Sequence, residues 1–185
     1  MNTSASFSPD GKTIVATLSY QDATNLYLLD RKGALLRRLT RTRGSDTSAS
    51  FSADGRKIIF VSDRSGSPQI YMMNADGSKP ERLSDGGWCD GPIWSPLGDK
   101  VAYSRGDGTG HHDIILQDLA TGGKIQVTSD SGRNENPTFS PDGRFIAFSS
   151  TRQGRREIYI ASTDGVVQRK LSDIPGSSST PSWEP

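Results

Sequence analysis

A five-residue turn that returns at near-constant intervals constrains this chain more than any other feature. Phe7-Ser8-Pro9-Asp10-Gly11 and Phe139-Ser140-Pro141-Asp142-Gly143 are identical copies. Phe51-Ser52-Ala53-Asp54-Gly55 lacks the proline, Trp94-Ser95-Pro96-Leu97-Gly98 lacks the aspartate, and Trp183-Glu184-Pro185 is a stub at the C-terminus. The aromatic positions 7, 51, 94, 139 and 183 are separated by 44, 43, 45 and 44 residues. A period of that length is too short for a domain and matches a stacked repeat whose unit is about four short strands.

The first unit shows what each copy contributes. Ser4 to Ser8 is a short run of small residues ending on Phe7, and Pro9-Asp10-Gly11 is a tight turn. Proline there presets one φ and glycine accepts the positive φ that follows. Thr13 to Ser19 is β-branched and apolar and reads as a buried central strand. Asp22 to Thr24 reads as a polar turn, Asn25 to Leu29 as a third strand, Lys32-Gly33 as another turn, and Leu35 to Thr40 as a fourth strand. Ile14, Ile58, Val101 and Ile146 mark the second strand of successive units, and Leu26, Ile70, Ile114 and Ile158 the third. Leu39, Leu83, Val127 and Leu171 mark the fourth, each followed by Thr40, Ser84, Thr128 or Ser172. Asp76-Gly77, Gly122-Gly123 and Asp164-Gly165 close the third hairpin.

Four consecutive antiparallel strands per unit, with no helical periodicity, predict an all-β chain built as a β-propeller. The blades are expected at 3–46, 47–90, 91–135 and 136–179, with a fifth, lone inner strand in 180–185. The small residues Ser4, Ala5 and Ser6, and Ser48, Ala49 and Ser50, place the first strand of each unit innermost, where blades crowd. One blade cannot bury both faces, so stacking supplies the stability. The lone strand asks for a partner blade, and the expectation is an arc of a six-bladed ring, with self-association as the consequence if the arc stays open.

Gly 20 and Pro 10 against 32% hydrophobic residues fit a chain rich in turns with a modest core. Lys+Arg 22 against Asp+Glu 21 leaves a net charge of +1, which argues against a nucleic-acid partner. The runs Arg37, Arg38, Arg41, Arg43 and Arg152, Arg155, Arg156 read as solvated strand ends. Cys89 is the only cysteine, so no intrachain disulfide forms and either redox compartment stays open. No apolar run reaches the ~18 residues of a membrane span, so no membrane insertion is expected. Met1-Asn2-Thr3-Ser4 has neither the basic start nor the apolar core of a signal peptide.

The repeated turn, followed by an Ile-Ala-Phe-type strand and an Ile-Tyr-type strand, resembles the propeller repeat shared by the TolB family, tricorn-type proteases and prolyl-oligopeptidase relatives. Gln117-Asp118-Leu119-Ala120-Thr121-Gly122-Gly123 before Gln126-Val127 is similar to the penultimate TolB blade. Ser162-Thr163-Asp164-Gly165, then Arg169, Leu171 and Pro181-Ser182-Trp183, resembles the last. The resemblance covers the whole chain and implies the C-terminal four blades of a six-bladed propeller. It further implies a periplasmic, non-enzymatic protein of the Tol–Pal system whose propeller binds the lipoprotein Pal.

Loops from each fourth strand to the next first strand (Arg41 to Thr47, Asp85 to Gly91, Ser129 to Asn136, Asp173 to Thr180) are polar, rich in glycine and unlike one another. Binding residues concentrate on such loops over rigid scaffolds. By motif position the resemblance makes Thr47 the leading protein-binding residue, with Asp46, Ser48, Asp90 and Asn136 behind it. Trp88, an aromatic in Gly86-Gly87-Trp88-Cys89-Asp90, reads either as an exposed hot spot or as a plug over the blade. His111-His112-Asp113 is a run of potential metal ligands, but neighbours on a strand face opposite ways, so no metal and no cofactor is expected. Gly106-Asp107-Gly108-Thr109-Gly110 reads as a hairpin loop, since no helix follows to make a phosphate cradle. No nucleophile elbow occurs, and both histidines sit in one hairpin. The rival readings are a propeller gating the active site of a larger peptidase and a closed four-bladed lectin-like ring.

Overall fold

Each repeated turn is held by its own serine. In the computed structural model, which describes residues 4–20, 23–129, 132–171 and 176–183, Ser8 Oγ donates to Asp10 Oδ1 at 2.7 Å and accepts the Thr13 amide at 3.0 Å. Ser52 and Ser140 do the same with Asp54 and Lys57, and with Asp142 and Phe145. The glycine closing each turn has φ of +66 to +74°, a conformation in which a Cβ is strained. In the third copy Leu97 has replaced the aspartate, and Asp99 supplies the carboxylate to Ser95 from two residues further on, at 2.9 Å.

These turns join strands of four four-stranded antiparallel sheets, the blades of a β-propeller. The chain divides into two compact units, Met1–Asp85 and Gly86–Pro185. The first holds β1 (Ala5–Phe7), β2 (Thr13–Tyr20), β3 (Ala23–Asp30) and β4 (Leu35–Arg38) in one sheet, and β5 (Asp46–Phe51), β6 (Lys57–Ser62), β7 (Gln69–Asn74) and β8 (Glu81–Arg82) in another. The second holds β9 (Trp88–Trp94), β10 (Lys100–Gly106), β11 (His112–Asp118) and β12 (Lys124–Gln126), then β13 (Asn134–Phe139), β14 (Phe145–Ser150), β15 (Glu157–Ser162) and β16 (Gln168–Lys170). Strand order within each sheet follows the chain, a simple meander, and no helix occurs among the described residues.

Alternation along the strands sends one set of side chains to each face, and the core forms where two blades stack. In the first unit Val15, Leu26 and Leu39 meet Ala49, Ile58, Phe60, Tyr71 and Met73. In the second, Ala102, Ile114, Leu116 and Val127 meet Phe139, Ile146, Phe148, Tyr159 and Ala161. Of the second- and third-strand landmarks read from the sequence, Leu26, Ile58, Ile114 and Ile146 lie in these cores, while Ile70, Val101 and Ile158 are buried outside them and Ile14 is half-buried. The fourth-strand landmarks fall just past the ladder, yet are fixed to it: Leu39, Leu83 and Val127 each donate N–H to the third-strand residue Leu26, Ile70 or Ile114 at 2.8 Å. Thr40, Ser84 and Thr128 close the exchange by accepting that residue's own N–H, at 3.0, 2.8 and 3.0 Å.

Three local expectations change. The strand expected after an Asp22 to Thr24 turn already begins at Ala23, because Thr24 pairs with Ser19 across the hairpin; Asp22 itself lies outside the described residues. The inner strands β5, β9 and β13 start at Asp46, Trp88 and Asn134, so Thr47, Asp90 and Asn136 are strand residues and not loop residues, while Ser48 lies on an inner strand as its small-residue run indicates. What disguised them is a bulge: pairing skips at each inner strand, and Ser48, Gly91 and Asn136 there take φ of 53, 59 and 55°. Thr180 repeats that conformation at φ 55°, but 180–183 joins no ladder; Trp183 is tied instead by its indole N–H to the Thr138 carbonyl at 3.2 Å. Ser172, Asp173, Glu184, Pro185, Met1 to Thr3 and part of the loop between Ser129 and Asn136 lie outside the described residues.

Candidate functional site

In the second unit the starts of β9 and β13 and the β10–β11 hairpin line a cleft of about 660 Å³. Alternation on β9 leaves Trp88 and Asp90 exposed on one side of the strand while Cys89 between them is fully buried. Trp88 is 56% exposed. Across the ladder Trp88 faces Gly106 and Asp90 faces Ser104, so no cross-strand side chain covers the indole. Asp90 accepts the amide of Gly91 at 2.7 Å.

Glu135 is the anchor of the opposite wall. Its carboxylate accepts His112 Nδ1 at 3.0 Å, Arg133 at 3.1 Å and Arg156 at 2.8 Å. Beneath it Ser149 Oγ donates to the Glu135 carbonyl at 3.0 Å and lies 3.3 Å from the Asn136 amide nitrogen. Asn134, fully buried, donates to the His112 carbonyl at 2.9 Å and accepts from Arg152 at 3.1 Å. Arg152 lies 4.3 Å above the Tyr159 ring, and burial lowers its guanidinium pKa. His112, Asn134, Glu135 and Ser149 thus sit on strands, Arg133, Arg152 and Arg156 flank them, and shared partners tie the wall together.

The other candidates lie in the first unit. Asp46 is fully buried, its carboxylate taken by Arg64 at 3.0 Å and the Thr42 hydroxyl at 2.9 Å. It offers no free surface, and its role is to fix the strand that carries Thr47 and Ser48, both half-buried. The structure therefore brings together Trp88, Asp90 and Asn136 around one cleft and leaves Thr47 and Ser48 in the first unit. Sequence reasoning passed over Glu135, Arg133, Arg156 and Ser104. Glu135 was nonetheless within reach, since it precedes the bulge residue as Thr47 and Asp90 do.

The three residues of the histidine run have separate partners, His111 lying just before β11 and His112 and Asp113 on it. His111 Nδ1 contacts Thr109 Oγ1 at 3.0 Å, His112 binds Glu135, and Asp113 accepts from Thr128 at 2.8 Å. Among the described residues no group of three or more His, Cys, Asp or Glu is placed to hold a metal. Gly106 to Gly110 connects β10 to β11 as a hairpin loop, with Asp107 receiving the Thr109 amide and hydroxyl at 2.8 Å. Those two bonds, the hydroxyl's first, lower the Asp107 pKa.

The family model for PD40, the TolB beta propeller domain, matches residues 1–185. The chain belongs to this family. This TolB-type propeller is 40% identical over 81 residues to the Tol-Pal system protein TolB of Methylobacillus flagellatus (44% of this chain, 18% of that protein). It is 38% identical over 100 residues to the uncharacterized peptidase YuxL of Bacillus subtilis (51% of this chain, 15% of that protein). Among solved structures, TolB from Acinetobacter baumannii superposes with a TM-score of 0.77 at 32% identity, over 89% of this chain and 41% of that one. The propeller described here thus matches less than half the length of each of these relatives.

Proposed function

We propose that this propeller is a non-enzymatic protein-binding scaffold of the Tol–Pal cell-envelope system, placed in the periplasm and engaging a Pal-like lipoprotein. The observation that carries the reading is the cleft of the second unit. On a scaffold whose turns recur with small changes, Trp88, Asp90, Arg133 and Glu135 lie in segments that differ from unit to unit, and they gather at one opening. An exposed tryptophan on a rigid strand beside satisfied charges is what a binding hot spot requires. Thr47, Ser48 and Asn136 are further contact residues, with Asp46 supporting Thr47 from below. The relatives named TolB favour this partner class.

Calorimetric titration of the periplasmic domain of Pal against the chain tests the proposal. Trp88→Ala is expected to weaken binding about tenfold or more, as loss of a hot-spot aromatic does. Absence of binding at millimolar concentrations overturns the reading. Equal affinity of Thr47→Ala and the parent removes Thr47 from the interface.

The likeness to a Bacillus peptidase favours one alternative, a propeller that gates a hydrolase domain. The reading frame beyond Pro185 separates the two. About 250 further residues with a Gly-x-Ser-x-Gly elbow would establish the peptidase.

A further inference from the structure

We propose that Glu135 is a positioning residue of the cleft: it holds the His112 imidazole over Gly106, and the imidazole in turn shapes the surface beside the Trp88 indole. The inference rests on the protein-binding reading above and adds to it the residues that set the geometry of the contact.

The strand register supplies the first half of the argument. Trp88 on β9, Gly106 on β10 and His112 on β11 stand directly opposite one another across two ladders. Residues opposite one another in an antiparallel pair project to the same face, so the indole and the imidazole rise from one face with Gly106 between them. Two strand spacings put their Cα atoms about 10 Å apart. Glycine leaves the middle lane without a side chain, and His112 leans into it. Its Nε2 and Cδ2 lie 2.9 and 3.0 Å from the point where a Cβ of residue 106 would stand. The ring is therefore displaced from its own strand toward the side on which the exposed indole stands.

Glu135 supplies the second half. Its Oε1 accepts His112 Nδ1 at 3.0 Å, and both side chains are only 18% exposed, so the bond is largely shielded from water. A proton held on Nδ1 by the carboxylate fixes the neutral tautomer and the ring plane, and directs the other nitrogen over Gly106. Arg133 at 3.1 Å and Arg156 at 2.8 Å anchor Glu135 from other directions, so the carboxylate is a fixed point that the ring must follow. Glu135 lies on the inner strand of one blade and His112 on the third strand of the neighbouring blade, both in the second unit. The clasp thus ties the two walls of the cleft together. In the first unit the pair corresponding to Gly106 and His112 is Ser19 and Thr24, whose hydroxyls bond each other across the hairpin at 3.0 Å, and Thr47 takes the place of Glu135.

The test uses the full chain, first free and then titrated with the Pal domain. Nitrogen NMR of the histidine-labelled protein at pH ~8 is expected to find His112 with its proton on Nδ1. Glu135→Ala should abolish that preference, and Glu135→Gln, whose amide oxygen still accepts, should keep it. The Trp88 indole N–H resonance should move in Glu135→Ala and in Gly106→Ala, which pushes the ring aside without removing a charge. It should stay in place in Ser140→Ala, which weakens the same unit at the far end of β13. For the Pal domain, Glu135→Ala and Gly106→Ala are each expected to weaken binding about fivefold, and Glu135→Gln less than about twofold. On a Trp88→Ala background Glu135→Ala should add less than about twofold, because its effect runs through the surface beside the indole. A His112 proton that stays on Nδ1 in Glu135→Ala, an unmoved Trp88 resonance, or full additivity of Glu135→Ala with Trp88→Ala overturns the proposal. If the parent does not bind the Pal domain, the choice of Pal fails and the two NMR measurements still decide the clasp. If the Pal domain binds and both NMR signals are indifferent to Glu135→Ala, the clasp fails and the scaffold reading stands.

Discussion

Replacing Asp46 by alanine should cost the first unit more than any other loss of a polar side chain there. Asp46 is fully buried and holds Arg64 at 3.0 Å and the Thr42 hydroxyl at 2.9 Å. Arg64 lies 4.8 Å above the Tyr71 ring and donates to Ser62 Oγ at 2.8 Å, so it stays in place when its carboxylate is removed. An uncompensated guanidinium is left in a nearly closed site. Removing one partner of a buried pair costs about 3–5 kcal/mol. The Arg64 side chain is 22% exposed, which brings the expectation to about 2–3 kcal/mol after solvent screening. For a chain of this size that lowers the melting temperature by about 4–12 °C. Asp46→Asn keeps an acceptor oxygen, and Asn134 holds Arg152 at 3.1 Å in the corresponding place, so it should cost only about 1 kcal/mol. Removing Arg64 as well should recover part of the loss, with the double variant less destabilised than the sum of the singles by about 1 kcal/mol or more. Calorimetric melting of the four proteins settles the matter. An Asp46→Ala variant within about 0.5 kcal/mol of the parent, or an Asn variant as unstable as the Ala variant, refutes the account.

Gly87→Ala places a Cβ 1.9 Å from the Gly106 carbonyl oxygen at a φ of +55°; neither backbone can yield cheaply, and a loss of about 2 kcal/mol or more is expected in urea unfolding. Thr128→Val deprives the buried Ile114 amide of its 3.0 Å acceptor and should cost about 1–3 kcal/mol by the same measurement. Ser140→Ala tests the repeated turn through pH. The Ser140 hydroxyl and then the Arg144 amide hold the Asp142 pKa below its ordinary 3.8. A pKa depressed on folding contributes stability that is present above the unfolded value and vanishes as pH falls through the folded one. The melting-temperature gap between parent and Ser140→Ala should therefore be widest above pH ~4 and narrow toward pH ~2; a gap independent of pH would show that the turn gains nothing from the charge.

Blades, hairpins and core landmarks were legible in the sequence because the forces that set them are local. Ser8, Asp10 and Gly11 make their turn with one another and with Thr13, and Ile58 or Ile146 is buried by alternation alone. The inner-strand starts were not legible. A left-handed residue inside a strand has the composition of a loop, so Gly91 and Asn136 passed for loop punctuation. Nor could sequence separate Asp46 from Asp90. Both are aspartates near the same motif, yet one is spent on an arginine 18 residues away and the other faces open space. Partners so distant in the chain come together only when the ladder is built.

The two units are versions of one another at a spacing of 88 residues, and the comparison shows why the cleft belongs to the second. Phe60, Ser62, Arg64 and Tyr71 recur as Phe148, Ser150, Arg152 and Tyr159, with the arginine 4.8 Å from the tyrosine ring in one unit and 4.3 Å in the other. A parallel bridge joins Thr24 to Ser45 in the first unit and His112 to Arg133 in the second. Even the clasp under the bridge is kept, with the Ser45 amide on Asp63 and the Arg133 amide on Thr151. The scaffold is therefore the same, and only what it displays has changed. Thr24, Ser45 and Thr47 are short and neutral; His112, Arg133 and Glu135, at the same three positions, form a linked cluster of acid and base. The Glu135 and His112 side chains at its centre are each only 18% exposed, so the cluster sits in a largely closed site. The charges line the cleft of the second unit, and Trp88 and Asp90 stand at the same opening.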